Sequence, residues 1–309
     1  MDKPLVVVVL GPTASGKTAL GIDIAEKFGG EIVSADSMQI YENMDIATAK
    51  PTEQELSRVK HHLIGFVPMG EPFSVAKYKE KATQAIDDIL SRGKLPIVVG
   101  GTGFYIDTLV KNTEFFDYEE SDIRAKLEER LENEGIDTLY HELSEIDPDT
   151  AERLHINDTK RIIRALEVYH LTGKTISEQD MESHRNESKY RWCLIGLNAH
   201  DRQYLYDRIN KRVDIMLDMG LMEETEKFFS SEVSATAAQA IGYKELKPYI
   251  DGFVTLEEAV EKLKMESRRY AKRQLTWFRR NPMIHWLNID EGSYDELLSK
   301  AYGIINEER

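Results

Sequence analysis

One cysteine stands in the 309 residues, so no disulfide can form within the chain, which suits a reducing compartment. That residue, Cys193, lies in an apolar run and reads as a small buried strand side chain rather than a catalytic thiol. Long hydrophobic runs are missing too. The opening stretch LVVVVL is too short for a secretory signal core, and no later run approaches the roughly 20 residues that cross a bilayer. The expectation is a cytoplasmic protein that does not enter the membrane. Neither the Cys/His spacing of a metal centre nor a Ser-His-Asp order is present; the pair His61-His62 lacks further ligands nearby and reads as structural or substrate-adjacent. Repeats and low-complexity tracts are absent. The chain also lacks net positive charge: 40 Lys and Arg face 55 Asp and Glu, a formal charge of -15. As a sum this argues against a nucleic-acid partner.

The sum conceals a segregation. From Glu114 to Asp149 there are 14 acids and three bases, Arg124, Lys126 and Arg130. From Arg268 to Arg280 there are six bases and no acid. Arg269 and Arg273, and likewise Arg268 and Lys272, are spaced i, i+4, so positive charge lines at least one face of a helix. Such a surface releases counterions from polyanionic RNA. Trp277 and Phe278 read as anchors of this helix to the core ahead of base-stacking platforms. Lys160, Arg161 and Arg164 make a second basic patch at the start of another helix.

Residues 5–10, EIVSAD (31–36) and LPIVVGG (95–101) are short β-branched runs bounded by Gly, Ser or Asp and read as buried strands, with HHLIGF (61–66) a weaker candidate. Helical patterns separate them: one from Thr18 with Gly29 as its stop, another capped by Ser74 and stopped at Gly93. That alternation indicates an α/β fold with a parallel sheet flanked by helices. After about residue 113 the strands cease. Ile123, Leu127 and Leu131 share one helical face, and a second amphipathic helix, capped by Asn157 or Asp158, closes at Gly173. Residues 177–191 read as a loop or frayed helix, WCLIGLN (192–198) as a strand and HWLNID (285–290) as the last one. Residues 1–113 and 191–309 are thus expected to form a P-loop NTPase-like core, and 114–190 an all-helical insertion domain.

The stretch GPTASGKT, Gly11, Pro12, Thr13, Ala14, Ser15, Gly16, Lys17 and Thr18, matches G-x-x-x-x-G-K-[ST] between a strand and a helix. Gly11 and Gly16 allow the tight path, successive N–H groups form an anion nest, and the helix N-terminus adds its dipole. Lys17 supplies a point charge, and the Thr18 hydroxyl suits Mg²⁺ or a phosphate oxygen. Asp36, closing the second strand, should face the crevice at the carboxyl ends of the strands. There it either takes a proton from a nucleophile or holds Mg²⁺, or it only caps the following segment. VVGGTGFY (98–105) ends the third clear strand, with Thr102 at the crevice rim or in a plain strand-to-helix turn. In DRINKRVDIML (207–217), Ile209, Val213, Met216 and Leu217 pack inward. Arg208 and Arg212 then share one helical face at i, i+4, as phosphate-directed forks or as solvated surface.

GPTASGKT, DSMQIYENMDIATAKP (36–51), HHLI (61–64), GGTGFY (100–105), RALEVY (164–169), AIGYKE (240–245) and AKRQLTWFR (271–279), in this order and spacing, resemble the tRNA dimethylallyltransferase (tRNA isopentenyltransferase) family across residues 5 to about 287. The resemblance implies transfer of a dimethylallyl group from dimethylallyl diphosphate to the exocyclic amine of the adenosine 3′-adjacent to a tRNA anticodon, with Mg²⁺. It gives Lys17 and Thr18 the diphosphate, assisted by Mg²⁺ and Arg212, and makes Asp36 the general base or orienting acceptor. It further implies RNA contacts at Asp36, Ser37, Met38 and Gln39, at Thr102 and Arg124, at Lys160, Arg161, Ile162, Ile163 and Arg164, and at Arg269, Lys272 and Arg273. The expected partners are the tRNA anticodon stem-loop and the prenyl donor, with the protein acting as a monomer. One departure is visible: where the family carries Asp after HHLI this chain has Gly65. The chain also lacks a C-terminal zinc finger, as in the bacterial form. The P-loop alone leaves open an ATP-dependent small-molecule kinase. A non-catalytic NTPase switch would need an acid after a buried strand, where the third clear strand instead ends in GGTG.

Overall fold

The computed structural model describes residues 3–115, 122–183 and 187–309. Two compact units emerge, one from residues 1–110 with 189–309 and one from residues 111–188.

The first unit alternates strand and helix from its start: β1 (Leu5–Leu10), α1 (Lys17–Phe28), β2 (Gly30–Ser34), α2 (Glu53–Arg58), β3 (His61–His62), α3 (Val75–Ser91), β4 (Leu95–Gly100) and α4 (Gly103–Val110). The second unit, among its described residues, is entirely helical: α5 (Ile123–Glu134), α6 (Ile136–Ile146), α7 (Pro148–Arg153), α8 (Thr159–Thr172) and α9 (Ile176–Ser183). The chain returns to the first unit with β5 (Arg191–Asn198), α10 (Arg202–Asp218), α11 (Leu221–Phe229), α12 (Tyr243–Ile250), α13 (Leu256–Phe278), β6 (His285–Asn288) and α14 (Tyr294–Glu307).

The six strands form one sheet in the order β3-β2-β4-β1-β5-β6, every pair parallel. In register, Val8 of β1 stands between Val98 of β4 and Leu194 of β5. Both faces of β1 are buried, which is why it reads as a continuous valine run rather than an alternating one. Val6, Val8 and Leu10 join Val33, Val98 and Leu194 on one face; Val7 and Val9 join Ile32, Ile97 and Ile195 on the other. Parallel strands with helices on both faces make this a P-loop NTPase-like α/β fold.

Two expected strands end early. β2 stops at Ser34, so Asp36 lies beyond the strand rather than in it. The run 61–66 yields only two strand residues, because Leu63 takes φ 63° and Gly65 φ 56°, and left-handed residues cannot continue an extended ladder. Helix limits follow their caps closely. Gly29 ends α1 in the left-handed region, and the Ser74 side chain accepts the Lys77 N–H at the start of α3. Helix α13 opens with a capping box between Thr255 and Glu258 and runs 23 residues without interruption.

The second unit has its own core, with Leu127, Leu139, Leu143, Ala151, Ile162 and Leu166 all 3% exposed or less. Ile123 and Leu131 pack against it from the α5 face where the periodicity places them.

Candidate functional site

The loop between β1 and α1 takes a shape set by its own backbone bonds. Gly16, the N-cap of α1, has φ 91°, a region open to glycine but strained for other residues. The buried Ser15 hydroxyl donates to the Pro12 carbonyl at 2.8 Å, and Lys17 Nζ donates to the same oxygen at 2.6 Å. Arg208 Nε reaches the Ala14 carbonyl at 2.8 Å.

Thr13, Lys17, Thr18, Asp36 and Arg212 line one cavity of about 230 Å³ at the carboxyl ends of the strands. Asp36 Oδ1 accepts the backbone N–H groups of Met38 at 2.9 Å and Gln39 at 3.3 Å. Asp36 thus caps the turn after β2 and also faces the cavity. Burial, reinforced by Arg212 and opposed by Asp36, pushes the Lys17 ammonium down to about 7. Burial likewise works against the charge on Arg212, with Asp36 and Glu55 opposing it. Tyr270, also on the cavity wall, has its hydroxyl raised above the ordinary range by burial and then by Asp36. Two cations that burial disfavours share this space with Asp36, so an incoming anion relieves an electrostatic cost already present.

Helix α10 resolves the alternatives for its arginines. Ile209 and Val213 are buried, while Met216 and Leu217 are half-buried. Arg212 enters the cavity beside Ile209, Val213 and Met216, and the exposed Arg208 steadies the loop. The histidine pair divides. His62 Nε2 lies 2.8 Å from the Glu31 carboxylate and is structural. His61 lines the cavity; its Nδ1 lies 2.7 Å from the Val59 carbonyl and so carries the hydrogen.

Ser37, Met38 and Gln39 also line the cavity. The Gln39 amide, however, donates to the carbonyls of Thr48 (3.2 Å) and Ala49 (3.0 Å), holding the wall opposite. Thr102 Oγ1 accepts the Ser37 N–H at 3.0 Å, so it organises the turn that presents Asp36. The glycines around Thr102 serve the chain itself. A Cβ on Gly100 would stand 2.1 Å from the Ala35 carbonyl oxygen, and one on Gly103 would stand 2.4 Å from the Trp277 ring.

On α13, Arg269, Lys272 and Arg273 are exposed. Arg269 bonds Glu266 at 2.7 Å, and the Arg273 guanidinium lies 5.7 Å from the Tyr270 ring centre. Phe278 is buried at 2% exposure, and Trp277 packs against the same core, as anchors should.

Within the helical unit, Lys160, Arg161 and Arg164 are exposed at the start of α8, and Arg124 bonds Glu128 at 3.1 Å. Ile162 and Ile163 correct an expectation. At 0% and 3% exposure they are core residues of this unit, and their side chains cannot reach RNA. Helical rotation turns positions 162, 163 and 166 inward while 160, 161 and 164 face out.

Two residues escaped the sequence reading. Glu224 on α11 accepts the N–H groups of Asp45 (2.9 Å), Ile46 (2.7 Å) and Ala47 (2.9 Å), and the Tyr243 hydroxyl at 2.8 Å. It thereby fixes the segment whose Ala47, Thr48 and Ala49 form a cavity wall. Gln274 on α13 accepts the Thr13 N–H at 2.9 Å and donates to the Gly101 carbonyl at 2.8 Å. Neither partner is near in sequence, and no local signal points to them.

Comparison with known proteins bears on this geometry. The model of the family described as IPP transferase matches residues 39–281. A tRNA dimethylallyltransferase of Acetivibrio thermocellus is 52% identical over 298 residues, covering 96% of this chain and 95% of that protein. One of Bacillus anthracis is 47% identical over 294 residues, covering 94% and 93%. A solved tRNA isopentenylpyrophosphate transferase of Bacillus halodurans superposes with TM-score 0.74 at 42% identity over 99% of this chain and 96% of its own. A eukaryotic dimethylallyltransferase acting on tRNA gives TM-score 0.82 at 30% identity over 98% and 80%. With a phosphate loop and a carboxylate on one cavity and matches that run nearly end to end, the chain belongs to the IPP transferase family.

Proposed function

We propose that this protein transfers a dimethylallyl group from dimethylallyl diphosphate to the exocyclic N6 amine of the adenosine 3′-adjacent to the anticodon of tRNA, releasing diphosphate. The observation that carries the proposal is the shared cavity of Lys17, Thr18, Arg212 and Asp36. The P-loop and the Lys17 and Arg212 cations suit a leaving diphosphate, and a carboxylate on the same cavity suits the amine proton. The family assignment supports tRNA prenylation and sets aside the small-molecule kinase.

In the reaction the C1–O bond of the donor breaks with its electron pair leaving on diphosphate. The N6 lone pair forms the new bond to C1, and the N6 proton passes to Asp36. An aromatic amine is a weak nucleophile, so orientation by the cavity walls and the charge placed on the leaving group matter more than prior deprotonation. Lys17 and Arg212 take the developing charge of the diphosphate. Among the described residues no group of three or more His, Cys, Asp or Glu side chains could hold a metal ion. The Thr18 hydroxyl on this cavity would hold Mg²⁺ arriving with a diphosphate, which leaves the Asp36 carboxylate to take the N6 proton. Bound there, Mg²⁺ would supply positive charge to the leaving group.

The tRNA backbone is met by Arg269, Lys272 and Arg273 in one unit and by Arg124, Lys160, Arg161 and Arg164 in the other. The adenosine reaches Asp36 by extrusion from the anticodon loop, which costs less than extrusion from a paired stem. One chain supplies every group, so a monomer suffices, and the cytoplasm is where the substrates meet. Among the described residues no helix is long and apolar enough to cross a membrane.

The test supplies unmodified tRNA with labelled dimethylallyl diphosphate or labelled ATP. Label entering RNA from the prenyl donor is expected. Hydrolysis of ATP without prenyl transfer would overturn the reading.

A further inference from the structure

Gln274 lies on the inward face of α13 at 5% exposure, while Lys272 and Arg273 beside it are exposed. Its amide joins two loops 88 residues apart in sequence, Thr13 in the P-loop and Gly101 after β4. The direction of both bonds is fixed, since a backbone N–H only donates and a carbonyl only accepts. The space is tight: a Cβ on Gly101 would stand 2.2 Å from Nε2. One turn further along α13, Trp277 presses equally closely on Gly103. The helix therefore packs directly on the β4–α4 turn, and the Gln274 side chain links that packing to the Thr13 N–H. Thr13 lines the cavity beside Lys17.

We propose that Gln274 is a positioning residue that couples the two substrates. It ties the basic helix α13 to the P-loop, so RNA seated on α13 tightens the grip on diphosphate, and diphosphate tightens the grip on RNA. The proposal rests on the prenyl-transfer reading for the identity of the two ligands. Linkage requires the two effects to be equal in size.

The experiment uses the full chain, inorganic diphosphate with Mg²⁺, and an unmodified anticodon stem-loop RNA. The Kd for diphosphate is measured without RNA and with saturating RNA, in the parent protein, Gln274→Met and Gln274→Glu. In the parent, RNA should tighten diphosphate binding by about fivefold or more. Gln274→Met, similar in size but without either hydrogen bond, should bring that ratio below about twofold and leave the affinity for RNA alone within about threefold. Gln274→Glu keeps an acceptor for Thr13 and loses the donor to Gly101, so its ratio should fall between the two; because the ratio compares the same variant with itself, the added charge largely cancels. If Gln274→Met does not fold, the ratio in Gln274→Glu decides. An unchanged ratio in the folded variants, with only melting temperature or both affinities lowered, would reduce Gln274 to a packing role and overturn the proposal. A parent protein that binds both ligands without coupling sinks this proposal alone. Absence of RNA binding in the parent sinks the prenyl-transfer reading as well.

Discussion

Glu31 and Asp36 stand at opposite ends of β2, five residues apart, and the fold uses them in opposite ways. Glu31, at the start of the strand, is 2% exposed and fully engaged. Arg92 bonds it twice, at 2.5 and 2.7 Å, and Lys94 and His62 each approach to 2.8 Å. The hydrogen bonds from Arg92, then those from Lys94 and His62, hold its carboxyl well below the usual range against the cost of burial. Asp36, past the end of the strand, spends one oxygen on two backbone N–H groups. The cations near it, Lys17 and Arg212, face a cavity instead of closing on a carboxylate, and Lys17 rests on the Pro12 carbonyl. A carboxylate enclosed by hydrogen-bonded cations is committed to the fold. Cations whose charge burial disfavours are held ready for a ligand.

Substitutions at the two ends should separate these roles. Asp36→Asn keeps the cap on Met38 and Gln39 but removes the proton acceptor, so kcat for prenyl transfer should fall by about 10²–10⁴-fold. The Kd for tRNA should stay within about threefold; a normal rate at saturation with weakened RNA binding would make Asp36 a binding residue and break the contrast. Glu31→Gln removes the charge that Arg92 and Lys94 share, leaving Arg92 only Asp88, and should cost about 2 kcal/mol in urea unfolding, a moderate figure because both cations reach solvent. Its kcat below the melting transition should match the parent. The stabilisation from Glu31 is complete above its unfolded value near 4.5 and is lost as pH falls below it, so the variant should also lose stability less steeply on acidification.

Lys17 sharpens the contrast from the cationic side. With its ammonium down at about 7, the free protein at pH 8 holds it mostly neutral, and an arriving diphosphate restores its charge. Binding should therefore take up protons at pH 8, read by calorimetry in two buffers of different ionisation enthalpy, and affinity should weaken as pH rises above 7. Proton release would contradict this. For folding the sign is set in the same window: between about 7 and 10.5 the unfolded chain binds the extra proton, so stability rises with pH there. The smallest effect concerns Arg273, exposed on α13. Arg273→Ala should lower the salt slope of tRNA binding by about one. An unchanged slope would return that guanidinium to its cation–π contact with Tyr270.

How much of this could be read from the chain depends on distance along it. The P-loop, the position of Asp36 near it and the long basic helix are written in contiguous residues, where glycine conformation, strand patterning and helical spacing act locally. Glu224 and Gln274 could not be read in this way, because their partners lie 177 to 179 and 261 residues away for the bonds to segment 45–47 and to Thr13. What approaches the glycines at 100, 101 and 103 is likewise remote in sequence: Ala35, Gln274 and Trp277 of the same chain. Ile162 and Ile163 show the converse fault, since five consecutive residues on a helix cannot all face one partner.

The left-handed turn at Leu63 and Gly65 has a consequence for the protein in a crowded solution. It leaves β3, at one margin of the sheet, only two residues long, and β6 at the other margin has four. An unpaired margin is a template for a strand from another molecule, and aggregation grows from long, flat ones. Here the long strands β1, β4 and β5 are all interior, so the most adhesive backbone in the molecule has neighbours on both sides.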